Sequence, residues 1–430
     1  VWTYLAVVSF VIIGLGMPVT FAIGTIALLY LLASGDFSLV TIPQKLFTGM
    51  DSFLLLSIPF FVLAGALMNY GGITRRLVDF STALVGHIAG GLGQVTILAN
   101  VIMSGMSGTA AADAVATGTV LVPAMIRQGY ARGFAAAICG CAATIGPIIP
   151  PSVAFVIFGS LTSTSIGMLF LAGIVPGLLM GLFLMTACYL VSKRRGYRAA
   201  AEQASLRQVL RAFVNAFPAM LTPLWVIGSM VAGLATATEA AAIAALYSLI
   251  LSLIYGELKR EQIGSLLTEV VAMTSVIYLL LGVFNILGWI LAIEQIPQIV
   301  TELFLATTDN WIMVLLIINI VVFLLGTFME PVPLMVLLGP MLMPVIEKYD
   351  IDPIHFGIVF VLNVVIGVVT PPIGANMFIT CSIARCSVAE FSREAVPLLI
   401  ALLMLLLCIT YIPELTLFLP RLLGGYGSGG

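Results

Sequence analysis

The sequence predicts an all-α polytopic membrane protein made of two inverted repeats, each with a re-entrant helical hairpin and a broken transmembrane helix. Three observations predict it. The 430 residues are 61% hydrophobic and only 8% charged, whereas a soluble domain carries about 25% charged residues, so the solvent must be lipid. The basic residues gather in short clusters separated by long apolar stretches. The same series of small-residue motifs, prolines and acids occurs once in each half of the chain.

Composition excludes several classes. A net charge of −2 offers nothing to nucleic acid. The six cysteines (Cys139, Cys141, Cys188, Cys381, Cys386, Cys408) lie mostly in apolar segments and form no paired C-x-x-C motifs, so they read as small buried hydrophobes. His87 and His355 are too few and too far apart for a zinc site. Val1 stands where an initiator Met would be, and the expectation is a start inside a longer chain. Residues 424–430, Gly-Gly-Tyr-Gly-Ser-Gly-Gly, read as a linker or tag remnant.

Charge sets the topology. Arg75 and Arg76, Arg127 and Arg132, the run from Lys193 to Arg211, Lys259 and Arg260, and Arg385 and Arg393 hold 14 of the 17 Lys and Arg residues. Cytoplasmic loops carry such an excess, so all five clusters are placed in the cytoplasm and the chain must return there between them. Residues 1–50 supply one or two spans and a loop. The first repeat then covers 51–192. Its apolar stretch between Arg76 and Arg127 is interrupted at Ser104-Gly105-Met106-Ser107-Gly108-Thr109. Two arms of roughly 17 residues are marginal for two full spans, and a hairpin over 91–125 fits better. A broken helix over 133–158 follows, and the chain turns at Thr162-Ser163-Thr164-Ser165. Residues 193–260 form a cytoplasmic loop and a linking helix pair. The second repeat covers 261–423. It crosses outward over 271–292, forms a hairpin over 310–346 broken at Gly326-Thr327-Phe328-Met329-Glu330-Pro331, and returns through a broken helix over 354–384. The amphipathic pieces 73–88 and 259–270 are expected to occupy matching places as arms of a scaffold.

The two halves match in order and spacing. Asn100 lies eight residues before Gly108, and Asn319 lies seven before Gly326. Pro123 and Pro340 lie 14 and 13 residues after Thr109 and Thr327. Each following segment is broken by a double proline, Pro150-Pro151 in one half and Pro371-Pro372 in the other, and an acid follows each hairpin tip: Asp113 and Glu330. A helix interrupted in lipid exposes unpaired N–H and C=O groups at several kcal/mol each, so unwound backbone survives only inside protein or beside water. Freed carbonyls suit a sodium ion and half-helix N-termini suit a carboxylate. Asp113 and Glu330 read as ligands, as gates or as acids favoured at a helix N-terminus.

Four runs carry a resemblance: Met103-Ser104-Gly105-Met106-Ser107-Gly108-Thr109-Ala110-Ala111-Ala112-Asp113, Gly146-Pro147-Ile148-Ile149-Pro150-Pro151-Ser152, Gly326-Thr327-Phe328-Met329-Glu330 and Thr370-Pro371-Pro372-Ile373-Gly374-Ala375-Asn376. In this order the sequence resembles the TRAP transporter large membrane (DctM-type) subunit of the ion transporter superfamily, over essentially the whole chain. The resemblance implies sodium-coupled uptake of a small organic acid by an elevator mechanism in a bacterial inner membrane. C4-dicarboxylates, sialic acid and similar carboxylates all fit. It implies two partners, a small four-helix membrane subunit and a periplasmic substrate-binding protein, and no cofactor beyond sodium as coupling ion. It places a first sodium site at Ser104, Ser107, Gly108, Thr144 and Gly146, and a second at Gly326, Thr327, Met329, Thr370, Pro372 and Gly374. Substrate would lie near Ser107, Thr109, Pro150, Ser152, Pro371 and Asn376.

Rival readings are weaker. A self-sufficient sodium–dicarboxylate symporter could carry a similar repeat, and dependence on a binding protein separates the two. Gly105-Met106-Ser107-Gly108 matches the G-x-S-G of intramembrane serine proteases, but no histidine lies on a later buried segment to act as its base. A P-loop is absent, so direct ATP drive is not encoded here.

Overall fold

The computed structural model describes Met17 and residues 19–34, 37–38 and 40–426. The question of one or two spans before residue 33 therefore falls partly outside the described residues. All regular structure among them is helical, as expected where each segment must satisfy its own backbone.

In the first half, α1 (Val19–Ser34) and α2 (Thr41–Met50) precede α3 (Ser57–Tyr70) and α4 (Ile73–Val85). The last two meet at a 70° bend. The bend falls at Gly71-Gly72, where Gly72 has φ +71°, a conformation open to glycine. The hairpin follows as α5 (Gly91–Ser107) and α6 (Ala110–Arg127), then the two halves of a broken helix, α7 (Arg132–Ala143) and α8 (Val153–Thr162), and the long α9 (Ile166–Arg195). α10 (Leu206–Val231) and α11 (Ala237–Tyr255) link the halves. The second half has α12 (Arg260–Ile293), α13 (Ile296–Thr307), a hairpin of α14 (Trp311–Gly326) and α15 (Pro331–Lys348), a broken helix of α16 (Pro353–Gly367) and α17 (Ala375–Ala384), then α18 (Val388–Tyr411) and α19 (Glu414–Leu423). Seven helices among the described residues are long and apolar enough to cross a membrane. The half-helices, at 10 to 15 residues, fall short of the roughly 20 that a span requires, so each pair can cross only jointly.

Two expectations need correction. His355, expected in an outside loop, lies buried in α16 with its ring nitrogens on Thr416 Oγ1 at 2.9 Å and Thr410 O at 3.2 Å. Residues 259–270 are not an arm matching 73–88: they are the first turns of the continuous α12. Nothing like Gly71-Gly72 interrupts the chain there. The element that occupies the place of α4, immediately before a hairpin, is α13, which packs on α15 as α4 packs on α5. At the other end, Tyr426 packs against the core, and residues 427–430 lie outside the described residues.

Two bodies can be distinguished by their contacts. α1, α2 and α3 pack on α12, α11 packs on α3, and α10 packs on α4 and α11; together they form a frame. The hairpins and broken helices form the second body. Within it α7 lies on α17 and α8 lies on α16, with the Phe158 ring on α8 meeting Phe356 and Phe360. This crosswise pairing, first half on second half, sets the two broken helices antiparallel. Buried amides tie the hairpin arms in place, because a polar group in such an interior must find a partner. Asn100 donates to Thr96 O at 2.8 Å and to Thr117 Oγ1 at 3.2 Å. Asn363 donates to Asn319 O and Oδ1 at 2.9 Å, and Asn319 donates to Thr410 Oγ1 at 2.9 Å.

Candidate functional site

The first hairpin tip is made by one glycine. α5 ends at Ser107, Gly108 adopts φ +64°, and the extended Thr109 starts α6. A Cβ on Gly108 would stand 2.8 Å from Pro151 O, and Val153 N donates to Gly108 O at 3.4 Å. The tip is thus seated on the break between α7 and α8. That break, residues 144–152, is held by local bonds. The Thr144 hydroxyl donates to Cys141 O at 2.6 Å. The Ser152 hydroxyl donates to Pro147 O and accepts from Phe155 N at 3.2 Å, capping α8.

Oxygens converge beside Gly146. A Cβ there would overlap Asp113 Oδ2 and stand 3.1 Å from Thr109 O and 3.2 Å from Ala143 O. Asp113 is fully buried, and neither of its oxygens has a hydrogen-bond partner of normal geometry; the Ser107 hydroxyl is its polar neighbour. Neither Asp113 nor Glu330 caps its helix through a side-chain bond. A carboxylate buried without a partner costs several kcal/mol, and a cation among these oxygens removes that cost. Ser104 stands apart from this cluster in its bonding: its hydroxyl donates to Asn100 O at 2.5 Å, within its own helix.

The second tip is built differently. Gly326 ends α14 and lies backbone to backbone on Gly367, where an added Cβ would be 2.5 Å from both C and O of Gly326. Thr327 donates to Leu324 O at 2.8 Å and accepts from Ile373 N at 3.2 Å, which ties the tip to the break at residues 368–374. The carbonyls of Val368 and Thr370 lie 2.5 and 3.0 Å from the place of a Cβ on Gly374. The Thr370 hydroxyl donates to Ile366 O at 2.8 Å. Glu330 is exposed.

Both tips and both breaks face one cavity of about 440 Å³. Gly108 and Thr109 come from the first tip, Pro147 from the first break, Glu330 from the second tip, and Val368 from the second break, with Asn376 in the first turn of α17. Met273, Val276 and Leu280 of α12 close its frame side. A neighbouring cavity of about 400 Å³ is lined by Gly326, Met329, Glu330 and Gly374. Ser104, Ser107, Thr144, Gly146, Pro150, Ser152, Thr327, Thr370, Pro371 and Pro372 do not line these two spaces and lie behind or beside them. No Lys or Arg lines the larger cavity. Four helix N-termini reach it, at Ala110, Val153, Pro331 and Ala375, and these attract anions. The Asn376 amide is buried with its Nδ2 unpartnered. A third cavity, of about 580 Å³, shares Met273 with the first and runs between α6 and the frame to Gly72, Glu257 and Gln262. It opens on the face that carries Arg76 and Lys259.

Four features around these cavities escaped the sequence reading: the contact of Asp113 with Gly146, the wall of α12, the contact at Gly367, and Glu269. Only Glu269 carried a local signal, as an acid within a long apolar helix.

The family described as "Tripartite ATP-independent periplasmic transporter, DctM component" matches residues 6–415. The chain is 41% identical over 414 residues to the sialic acid TRAP transporter large permease protein SiaM of Vibrio cholerae, covering 96% of this chain and 97% of that protein. It is 40% identical over 403 residues to the C4-dicarboxylate TRAP transporter large permease protein DctM of Pseudomonas aeruginosa, covering 93% of each. Among solved structures it resembles the Alcanivorax borkumensis YdaH transporter with a TM-score of 0.58 and 14% identity, over 85% of this chain and 87% of that one, a likeness of fold.

Proposed function

The chain belongs to the DctM family, the large permease component of tripartite ATP-independent periplasmic transporters and a multi-pass inner-membrane protein, and from that premise we propose that it carries a small organic carboxylate inward by sodium-coupled, binding-protein-dependent transport of the elevator type. The observation that carries this reading is the convergence of two hairpin tips and two helix breaks on one cavity against α12. Substrate occupies that cavity. Its carboxylate is met by helix N-termini and Asn376 rather than by a basic side chain, which keeps binding weak enough for release. The names of the two relatives, one for sialic acid and one for C4-dicarboxylates, share only the carboxylate, the group this lining suits.

Sodium supplies the drive. One ion sits at the first tip and break, among Ser107, Gly108, Thr144 and Gly146 of the expected set and with Asp113 added to it. The other sits at Gly326, Thr327, Thr370 and Gly374. Both sites use oxygens freed where a helix is interrupted, as suits a hard cation. Because each site joins a tip to a break, an occupied pair makes the body rigid enough to slide along α12 as a unit. A small membrane subunit braces the frame, and a periplasmic binding protein delivers the substrate.

Thermal unfolding of the purified large–small subunit complex in sodium chloride against choline chloride at equal ionic strength tests the coupling. A saturable, sodium-specific rise is expected, equivalent to about 2.7 kcal/mol at a hundredfold excess over Kd. Superimposable curves in the two salts would overturn sodium coupling.

A further inference from the structure

We propose a monovalent-cation site on the release path, between the first hairpin tip and the frame, formed by Glu269, Asn69, Ser107 and Thr109. It rests on the sodium-coupled reading above and adds a station next to the first tip site, with which it shares Ser107. These four residues are the polar ones lining a cavity of about 20 Å³ whose other walls are apolar residues and Gly65; it is enough for one water-sized particle, which needs about 10–15 Å³, and too small for an organic acid.

Its polar atoms suit a cation. Ser107 is only 5% exposed, and its hydroxyl, next to Asp113, makes no hydrogen bond of normal geometry; nor does the Thr109 hydroxyl. Asn69 Oδ1 accepts from the Thr74 hydroxyl at 3.0 Å, so its oxygen is held ready to act as a further ligand. Glu269 Oε2 accepts from Tyr70 OH at 3.1 Å, which holds the carboxylate in place while leaving its other oxygen available. Two hydroxyls, an amide oxygen and one carboxylate form a hard oxygen set. A single formal charge among them matches a monovalent ion.

The place of the site assigns its role. Thr109 turns its carbonyl to the oxygens at Gly146 and also lines this cavity, so an ion passes from one to the other across a single residue. Glu269 and Asn69 also line the 580 Å³ cavity that opens on the basic face. The other carboxylate in that vestibule near the mouth, Glu257, is neutralised by Arg76 at 2.9 Å, whereas Glu269 has no basic partner among the ion pairs of the described residues. Ser107 and Thr109 belong to the hairpin and Glu269 to the frame, so the site exists only while the tip stands beside α12.

Equilibrium binding of ²²Na⁺ to the purified large–small subunit complex in nanodiscs tests the proposal, with Glu269→Gln, Glu269→Asp and Tyr70→Phe compared to wild type. Three classes of binding are expected, one for each tip site and one for this site. Glu269→Gln weakens one class about tenfold, the loss expected for one charge-assisted contact, and leaves the class removed by Asp113→Asn unchanged. Glu269→Asp retains it, and Tyr70→Phe falls between. Unfolding temperatures in choline chloride stay within those of wild type, because Glu269 is exposed. A Glu269→Gln isotherm that overlays wild type overturns the release site and leaves sodium coupling standing. A Glu269→Gln isotherm that weakens all three classes equally also overturns it, in favour of an indirect structural effect. Absence of any saturable ²²Na⁺ binding to wild type overturns both readings.

Discussion

Asp113→Asn is expected to remove the first tip site's share of the sodium-specific rise in unfolding temperature while leaving the sodium-free protein at least as stable as wild type. The carboxylate is fully buried without a hydrogen bond of normal geometry, and its Oδ2 lies where Gly146 leaves room beside two carbonyls. Removing an uncompensated buried charge relieves a penalty, so in choline chloride the variant gains stability, on the order of 1 kcal/mol. Losing a charged ligand weakens sodium binding by about 10- to 100-fold, so sodium-driven uptake fails. The two effects have opposite signs, and that is what separates a cation ligand from an acid that merely stabilises the start of α6. In the latter case Asn would lower the unfolding temperature in both salts alike. Gly146→Ala places a methyl against the same oxygen and is expected to remove the same share of the sodium response.

Gly367→Ala is expected to be far more damaging than Gly326→Ala, although the sequence motif marks only Gly326. A Cβ on Gly367 meets the backbone C and O of Gly326 at 2.5 Å, and neither atom can rotate aside. α14 and α16 must separate at the second tip, at a cost of about 1–3 kcal/mol, and the bond from Ile373 N to Thr327 O is lost with the displacement. By contrast, a Cβ on Gly326 finds its nearest neighbours at 3.6 Å, an ordinary contact. There alanine is expected to cost no more than about 0.5 kcal/mol. Thermal unfolding of the two variants, with and without sodium, checks the pair. Equal tolerance at both positions would show that the tip does not press on α16.

The positions of the interruptions were legible because their causes are local. Gly108 must adopt a left-handed conformation whatever surrounds it, and double prolines stop a helix wherever they fall. Helix pairs meet at these interruptions, within Gly91–Arg127 and Trp311–Lys348. The misreading of residues 259–270 has the same origin. An amphipathic stretch at the start of an apolar segment looks like a separate arm, but without a Gly-Gly pair the backbone has no reason to bend, and α12 runs on for 34 residues. Gly367 was invisible because a glycine in an apolar helix becomes critical only when another backbone crosses it.

By itself, then, the sequence determined that lipid is the solvent, where the chain is broken, that the breaks recur in two halves, and to which family the resemblance points. Each follows from composition or from a residue's own backbone preferences. Only the tertiary structure decided that Asp113 meets Gly146, that Gly326 rests on Gly367, and that Met273 and Glu269 of α12 face the first tip. Those contacts join residues 33 to 164 positions apart, and they are chosen by which helix faces pack together, a property that no local stretch of sequence carries.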